Sequence, residues 1–288
     1  MGWFESLSAR LPMSVIKTVS GLQWRHPLLK RTFDRIAQNF QHRDGMISRG
    51  AGKGLRFNTA GANAGYLLGT SEPAIQELIA RLVHPGWCVF DIGANVGFYA
   101  MILARLVGPE GTVVAVEPLA ANCQAIAHNV RLNGFAQVRV CEEALGSCDG
   151  EQIFQVSSNA TWGRLKTAGR LTTVVKEIPV PVRALDSVCR SESFPAPHFV
   201  KIDVEGAEVD VLAGAGQTLA RARPLLLIEL HHTNQAVAGQ LEAAAYEVRV
   251  VNEVSGGFYP QSTQVRDAYW NAHVLAVPRE AASLRDIW

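Results

Sequence analysis

Apolar residues along this chain recur with two alternating spacings. Over 73–83 they return every three to four positions behind Pro73, which predicts a helix, and His84-Pro85-Gly86 ends it. Residues 87–91 form a short apolar run and predict a strand. Residues 95–106 predict a helix, 112–117 a strand apolar on both parities, and 119–132 a helix closed by Asn133-Gly134. A third strand is predicted at 137–141. After an interruption the unit resumes with a strand at 198–203, a helix at 207–222, a strand at 224–230 and a helix at 235–245. Strands at 246–251 and 273–277 close the chain.

This alternation predicts an α/β fold: a seven-stranded, mostly parallel sheet with helices on both faces. The last two strands are joined by an irregular segment rather than a helix, so the final strand is expected to be antiparallel. The interruption, 142–197, contains two further strand patterns at 151–156 and 174–182 around a polar stretch. It reads as a β-rich insertion. The expected organisation is an extension over 1–57 and a main domain over 58–288.

Charge separates these two parts. Residues 1–57 carry ten Lys/Arg against three Asp/Glu, whereas the remainder carries 17 against 23. In the extension, Trp24, Leu28, Leu29, Phe33, Ile36 and Phe40 recur at helical spacing among Arg25, Lys30, Arg31 and Arg35. That pattern predicts a helix packed on the main domain, or alternatively one that makes weak contact with a membrane surface or a partner. Residues 43–54 read as a glycine-rich loop. The opening Met1-Gly2-Trp3-Phe4-Glu5-Ser6 fits a myristoylation pattern, one short enough to occur often by chance. No run of 18 apolar residues exists, and Glu5 and Arg10 interrupt any signal-peptide core. The five cysteines are scattered without a C-x-x-C pair, which predicts reduced thiols in a cytoplasmic protein and no structural zinc.

The chemistry concentrates at predicted strand ends. The first strand runs through Asp91 into Gly93-Ala94-Asn95-Val96-Gly97 and then a helix. Gly93 permits a tight turn, Gly97 a close backbone approach, and the helix N-terminus free N–H groups for an anion. A dinucleotide fold prefers G-x-G-x-x-G, and the acid at Asp91 would repel a diphosphate. An acid that receives an ammonium beside a helix start that receives a carboxylate suits the methionine end of S-adenosylmethionine. Glu117 ends the second strand, where an acid can accept ribose hydroxyls. Glu143 and Ala144 follow the third strand, at the expected adenine edge. Asp203 and Glu205 follow the fourth strand, and Glu229 and His231 the fifth. These four are the candidate bases for activating a hydroxyl, since an aliphatic hydroxyl is a weak nucleophile at neutral pH. Lys201 shares a strand face with Asp203, and a lysine in an apolar strand needs an acidic partner, Asp91 or Glu229. His232 and His273 read as surface and rim histidines. The rim has acids and histidines but no ligand pair at metal-diagnostic spacing, so the spacing assigns no metal.

Several motifs occur together in order: Gly69-Thr70-Ser71-Glu72-Pro73, Phe90 to Gly97, Glu117-Pro118, Lys201-Ile202-Asp203-Val204-Glu205-Gly206-Ala207-Glu208, Val211 to Ala215, and Pro224 to Glu229. Over about residues 60–278 the chain resembles the FkbM-type methyltransferases. The resemblance implies a class I, Rossmann-like methyltransferase fold, S-adenosylmethionine as methyl donor, and usually O-methylation of a hydroxyl on a sugar or natural-product scaffold. It also implies that Asp91, Gly93, Asn95 and Gly97 hold the donor's methionine part, that Glu117 holds its ribose, that Glu72 belongs to the donor site, and that Asp203 faces the methyl group. Where the family often has an aromatic residue before the acid at Glu72, this chain has Ser71, and Tyr66 is the nearby substitute. Three other readings stay open at this point: a methyltransferase of nucleic acid or protein, a cofactor-binding subunit without catalysis, and a nicotinamide oxidoreductase. Lys201 to Gly206 replaces the N/D-P-P-Y/F signature of amino-directed nucleic-acid enzymes, and the acidic main domain disfavours a nucleic-acid partner.

Overall fold

The alternating pattern folds as strand and helix in the order it predicts, with ends shifted by one to three residues in most elements. The structure is a computed structural model describing residues 42–157, 162–169, 171, 173–260 and 264–281. The predicted basic helix and the myristoylation pattern lie outside the described residues.

The described residues begin with two short antiparallel strands, β1 (Gly45–Met46) inside the stretch read as a loop and β2 (Arg56–Phe57) just beyond it. Ile47, Leu55 and Phe57 are buried in the main core, so this stretch packs with the residues that follow 58. Next come α1 (Gly65–Leu68) and α2 (Pro73–Leu82), then β3 (Cys88–Ile92), α3 (Phe98–Val107), β4 (Thr112–Val116), α4 (Ala120–Asn133) and β5 (Val138–Cys141). The insertion contains β6 (Ala144–Leu145), β7 (Gly150–Ser157), β8 (Gly163–Leu165), β9 (Val174–Arg183) and α5 (Leu185–Ser191). The repeating unit returns as β10 (Phe199–Ile202), α6 (Glu208–Ala213), β11 (Leu225–Glu229), α7 (Asn234–Ala243), β12 (Tyr246–Asn252), β13 (Gly257–Phe258) and β14 (His273–Pro278).

The central sheet has the order β13-β12-β14-β11-β10-β3-β4-β5. Strands β11, β10, β3, β4 and β5 run parallel, and β14 runs antiparallel between β11 and β12, as expected of the last strand. The sheet has eight strands rather than seven because the two-residue β13 adds to its edge. The helix expected over 207–222 is broken: α6 stops at Ala213, Gly214-Ala215-Gly216 follows, and Thr218–Ala222 forms a π-helical turn. Two glycines in three residues weaken helix propagation there.

Alternate residues of each central strand enter opposite core layers. Val89, Val113, Phe199 and Leu227 pack with α2 and α3, whereas Phe90, Val114, Val200 and Leu226 pack with α5, α6 and α7. The insertion forms its own sheet, β6-β9-β7-β8, over a smaller core of Leu119, Phe154, Leu165, Val180 and Val182. Strand order grows outward in both directions from the β3–β10 pair, so the ligand crevice of an open α/β sheet belongs at their carboxyl ends. No helix among the described residues is long and apolar enough to cross a membrane.

Candidate active site

The two strand tips at that switch point touch backbone to backbone. The Asp203 N–H donates to the Ile92 carbonyl at 3.0 Å. Gly93 has φ +81°, and a Cβ there would fall 1.8 Å from the Asp203 carbonyl oxygen. Only glycine joins the tips so closely. Gly97, with φ +88°, serves packing instead: a Cβ would stand 3.1 Å from Ile126 of α4. The close approach read from the sequence is therefore made to a helix, and Gly97 does not line the cleft.

One cleft opens over these tips, and Gly93, Asn95, Glu117, Glu143, Ala144, Glu72, Asp203, Glu205 and Glu229 all line it. Glu117 is buried and already holds three donors: the Asn95 N–H at 2.9 Å, the Leu119 N–H at 3.0 Å and Asn122 Nδ2 at 3.0 Å. Burial raises its carboxyl to about 7 against the pull of those donors. Further along, Glu143 stands 3.7 Å from Arg183, with burial raising its carboxyl and that guanidinium lowering it. Tyr66 enters the cleft wall, stacked on Phe98 with ring centroids 4.6 Å apart, so an aromatic face is present there despite Ser71. Phe154, Trp162 and Leu165 of the insertion form the opposite wall.

Asp91 lies one layer below. Ile92 and Gly93 line the cleft, whereas Asp91 is 1% exposed and pairs in register with Lys201 on β10. Neither carboxylate oxygen has a hydrogen-bond partner. Burial raises the group to about 6, with Lys201 pulling the other way. Such orphaned oxygens are what an ammonium, arriving directly or through water, would satisfy.

The other end of the cleft is a charge network. Lys201 Nζ stands 3.1 Å from Asp203 Oδ2 and 4.8 Å from the Tyr99 ring centroid. Burial alone would discharge the lysine, but Asp203, Asp91, Glu72 and Glu229 together raise its pKa. Burial works against the Asp203 charge as well, and Lys201 holds its carboxyl below the ordinary Asp range. Glu72 accepts the Tyr99 hydroxyl at 2.5 Å. Trp162 donates to Glu205, whose carboxyl burial raises and His231 lowers. Burial, then the charges of Asp203 and Glu72, raise Glu229 to about 10.

His231 is buried behind these carboxylates and does not line the cleft. Its Nδ1 lies 2.9 Å from the wholly buried Glu208, and its Nε2 lies 3.4 Å from Glu205 and 3.7 Å from Glu229. Both its nitrogens therefore face the acids rather than the open cleft. Burial depresses its basicity, but the Glu208 bond and Glu205 raise it above the ordinary histidine value. Glu208 also accepts the Gly206 N–H and the Thr233 hydroxyl, each at 2.8 Å. His273 is held at Nδ1 by Glu253 at 2.8 Å. Among the described residues, two groups bring one donor atom from each member within 4.8 Å of one another, Glu72–Glu229–His273 and Asp203–Glu205–His231, although sequence spacing gave no sign of a metal site. Sequence reasoning also missed Tyr99, Glu253 and Trp162. Only Trp162 carried a signal, as a lone aromatic in a polar stretch.

Comparison with known proteins gives a consistent picture. Residues 91–256 match the methyltransferase FkbM domain family. The chain is 27% identical over 143 residues to Methyltransferase 1 of Beauveria bassiana, covering 44% of this chain and 57% of that protein. It is 26% identical over 192 residues to the hexuronic acid methyltransferase AglP of Haloferax volcanii, covering 66% and 75%. Among solved structures, methyltransferase FkbM from Methylobacillus flagellatus aligns at TM-score 0.45 and 16% identity, over 75% of this chain and 55% of that one.

Proposed function

The chain belongs to the FkbM methyltransferase family, and on that premise we propose that it moves the methyl group of S-adenosylmethionine to a hydroxyl of a sugar or sugar-like small molecule. The observation that carries this is one continuous cleft with two chemistries. Asn95, Glu117 and Glu143 line one part, and Asp203, Glu205 and Glu229 line the other.

The donor residues follow from that division. Gly93, Asn95 and the N-terminus of α3 receive the methionine carboxylate, and the unpartnered oxygens of Asp91 receive its ammonium. Glu117 takes the ribose hydroxyls, and Glu143 with Ala144 borders the adenine. Gly97 supports this wall by letting α3 pack on α4. When bound, S-adenosylmethionine supplies an electrophilic methyl group on a sulfonium. Asp203, kept ionised by Lys201, faces that positive charge.

The acceptor oxygen gives a lone pair to the methyl carbon, the carbon–sulfur bond breaks towards sulfur, and the hydroxyl proton must leave. Glu205 is the best placed base. It lines the cleft, and its raised carboxyl lies nearer a working pH than that of Asp203. His231 and Glu208 hold Glu205 from behind. Glu72 and Glu229 border the same position, and Trp162 offers an apolar face to a sugar ring. The similarity to a hexuronic acid methyltransferase of Haloferax supports an acceptor of this class.

The test is release of S-adenosylhomocysteine from S-adenosylmethionine in the presence of free and glycosidic sugars. Glu205→Gln should lose at least about 100-fold in turnover while still binding S-adenosylhomocysteine. Absence of S-adenosylhomocysteine binding by the wild type in calorimetry would overturn the reading.

A further inference from the structure

We propose that Glu72, Glu229 and His273 bind one divalent transition-metal ion, of the zinc or manganese class, at the acceptor end of the cleft. The argument starts from His273, which is 2% exposed. Its Nδ1 lies 2.8 Å from Glu253, whose carboxylate also accepts the Tyr269 hydroxyl at 3.0 Å. A carboxylate accepts only, so Nδ1 carries a proton, and in the neutral ring Nε2 presents its lone pair. That Nε2 is buried and has no hydrogen-bond partner.

Glu229 Oε2 stands 3.5 Å from that nitrogen. That separation is at the outer limit for a hydrogen bond. Two donors that share a tetrahedral ion through bonds of about 2.1 Å stand about 3.4 Å apart. The antiparallel register of β11 and β14 sets Glu229 directly opposite His273, and Glu72 completes a group whose donor atoms lie within 4.8 Å of one another. The Glu253–His273 bond is the outer support that fixes the tautomer of a metal-binding histidine. The second group suits an ion less well. Asp203 is already paired with Lys201 at 3.1 Å, and His273 Nε2, unlike the nitrogens of His231, is buried without a hydrogen-bond partner.

Charge points the same way. Four acids, Asp203, Asp91, Glu72 and Glu229, face the ammonium of Lys201, and His231 is already matched by Glu208. One nitrogen and two carboxylates favour zinc or manganese over calcium, which takes six to eight oxygens. What the ion does rests on the methyl-transfer reading: a hydroxyl bound to it would lose its proton more readily. That it binds does not rest on that reading.

Full-length protein stripped with chelator is titrated with Zn²⁺ and Mn²⁺ by calorimetry, with metal analysis after desalting. S-adenosylhomocysteine binding by the same samples reports folding. One ion per chain at micromolar affinity or better is expected. Glu229→Gln and His273→Ala should weaken it by well over tenfold, and Glu253→Gln by about tenfold. Ion uptake without methyl transfer to any acceptor would sustain the site while removing the functional reading. The proposal is overturned if wild type takes up no ion, if Glu229→Gln and Glu253→Gln bind as wild type does, or if only Glu205→Gln loses binding.

Discussion

Replacing Lys201 with methionine removes the one ammonium that the central strands enclose and keeps the packing volume close. Lys201 is 2% exposed and faces Asp91, 1% exposed, across the β3–β10 register. It also pairs with Asp203 at 3.1 Å. Breaking a buried pair from one side costs about 3–5 kcal/mol, because the remaining charge is left in a poor solvent. Asp203 borders the cleft and keeps some water, which places this variant near the lower figure, about 3 kcal/mol. For a chain of this size each kcal/mol moves Tm by roughly 2–4 °C, so Lys201→Met should melt roughly 6–12 °C below wild type.

The pH dependence of that deficit checks the cause. In wild type the Asp203 carboxyl lies below its unfolded value, so the stability it contributes is present above pH 3.8 and lost only as pH falls through the folded pKa. Without Lys201, the Asp203 carboxyl rises above 3.8, and Asp91, already at about 6, rises further. Each carboxyl then stabilises the fold when protonated and destabilises it as pH rises through its folded pKa. The deficit should therefore be smaller at pH 5.5 than at pH 8. Scanning fluorimetry of both proteins at the two values measures it. Equal melting temperatures at pH 8, or a deficit that grows towards acid, would refute the electrostatic account.

Glu117→Ala frees the Asn95 and Leu119 N–H groups and Asn122, so S-adenosylhomocysteine affinity should fall about 100-fold by calorimetry, with Glu117→Gln intermediate. Gly93→Ala meets the Asp203 carbonyl at 1.8 Å from a positive φ. It should yield little folded protein, or a chain destabilised by more than about 3 kcal/mol in urea titration. Arg223 donates to the Leu219, Ala244 and Ala245 carbonyls and lies over the Tyr246 ring at 4.5 Å. Arg223→Ala should cost about 2–3 kcal/mol by denaturant unfolding, while Glu280→Gln, a change at the exposed partner, should leave the midpoint unchanged. Trp162→Ala should raise the KM for the acceptor severalfold and leave S-adenosylhomocysteine affinity unchanged, because Trp162 bonds to Glu205 and not to Glu117 or its partners.

The sheet was legible because its central strands are uniformly apolar and its helices carry a clear period. Their tips were legible for the opposite reason: Asp91, Glu117, Asp203 and Glu229 are acids placed where an apolar run stops. The strand β13 was invisible, since two residues carry no period. The break after Ala213 was written in Gly214 and Gly216, yet helical spacing on either side concealed it. Side-chain orientation was the larger loss. Nothing local tells that Gly97 faces Ile126, that His231 turns inward to Glu208, or that His273 meets Glu229 across an antiparallel pair formed by residues 44 positions apart. Such facts depend on strand order, and strand order is settled by the whole sheet.

The backbone around the cleft shows how so many acids are kept on one rim. Glu72, Asn95, Glu205 and His232 all have positive φ, between 45° and 64°, although none is glycine. Each such residue costs of order 1–3 kcal/mol, and the fold must hold it. The restraints are visible: Tyr99 and Pro73 at Glu72, Glu117 at Asn95, and Trp162 with His231 at Glu205. Three of the four strained residues line the cleft, and His232 follows β11 by three positions. A relaxed backbone at Glu72 or Glu205 would let the carboxylate swing into water, where solvation is cheaper than facing another acid. The strain therefore has a direction. It keeps Glu72 beside Glu229 and His273, and Glu205 beside Asp203 and His231, and it draws on the packing of the apolar core beneath them for support.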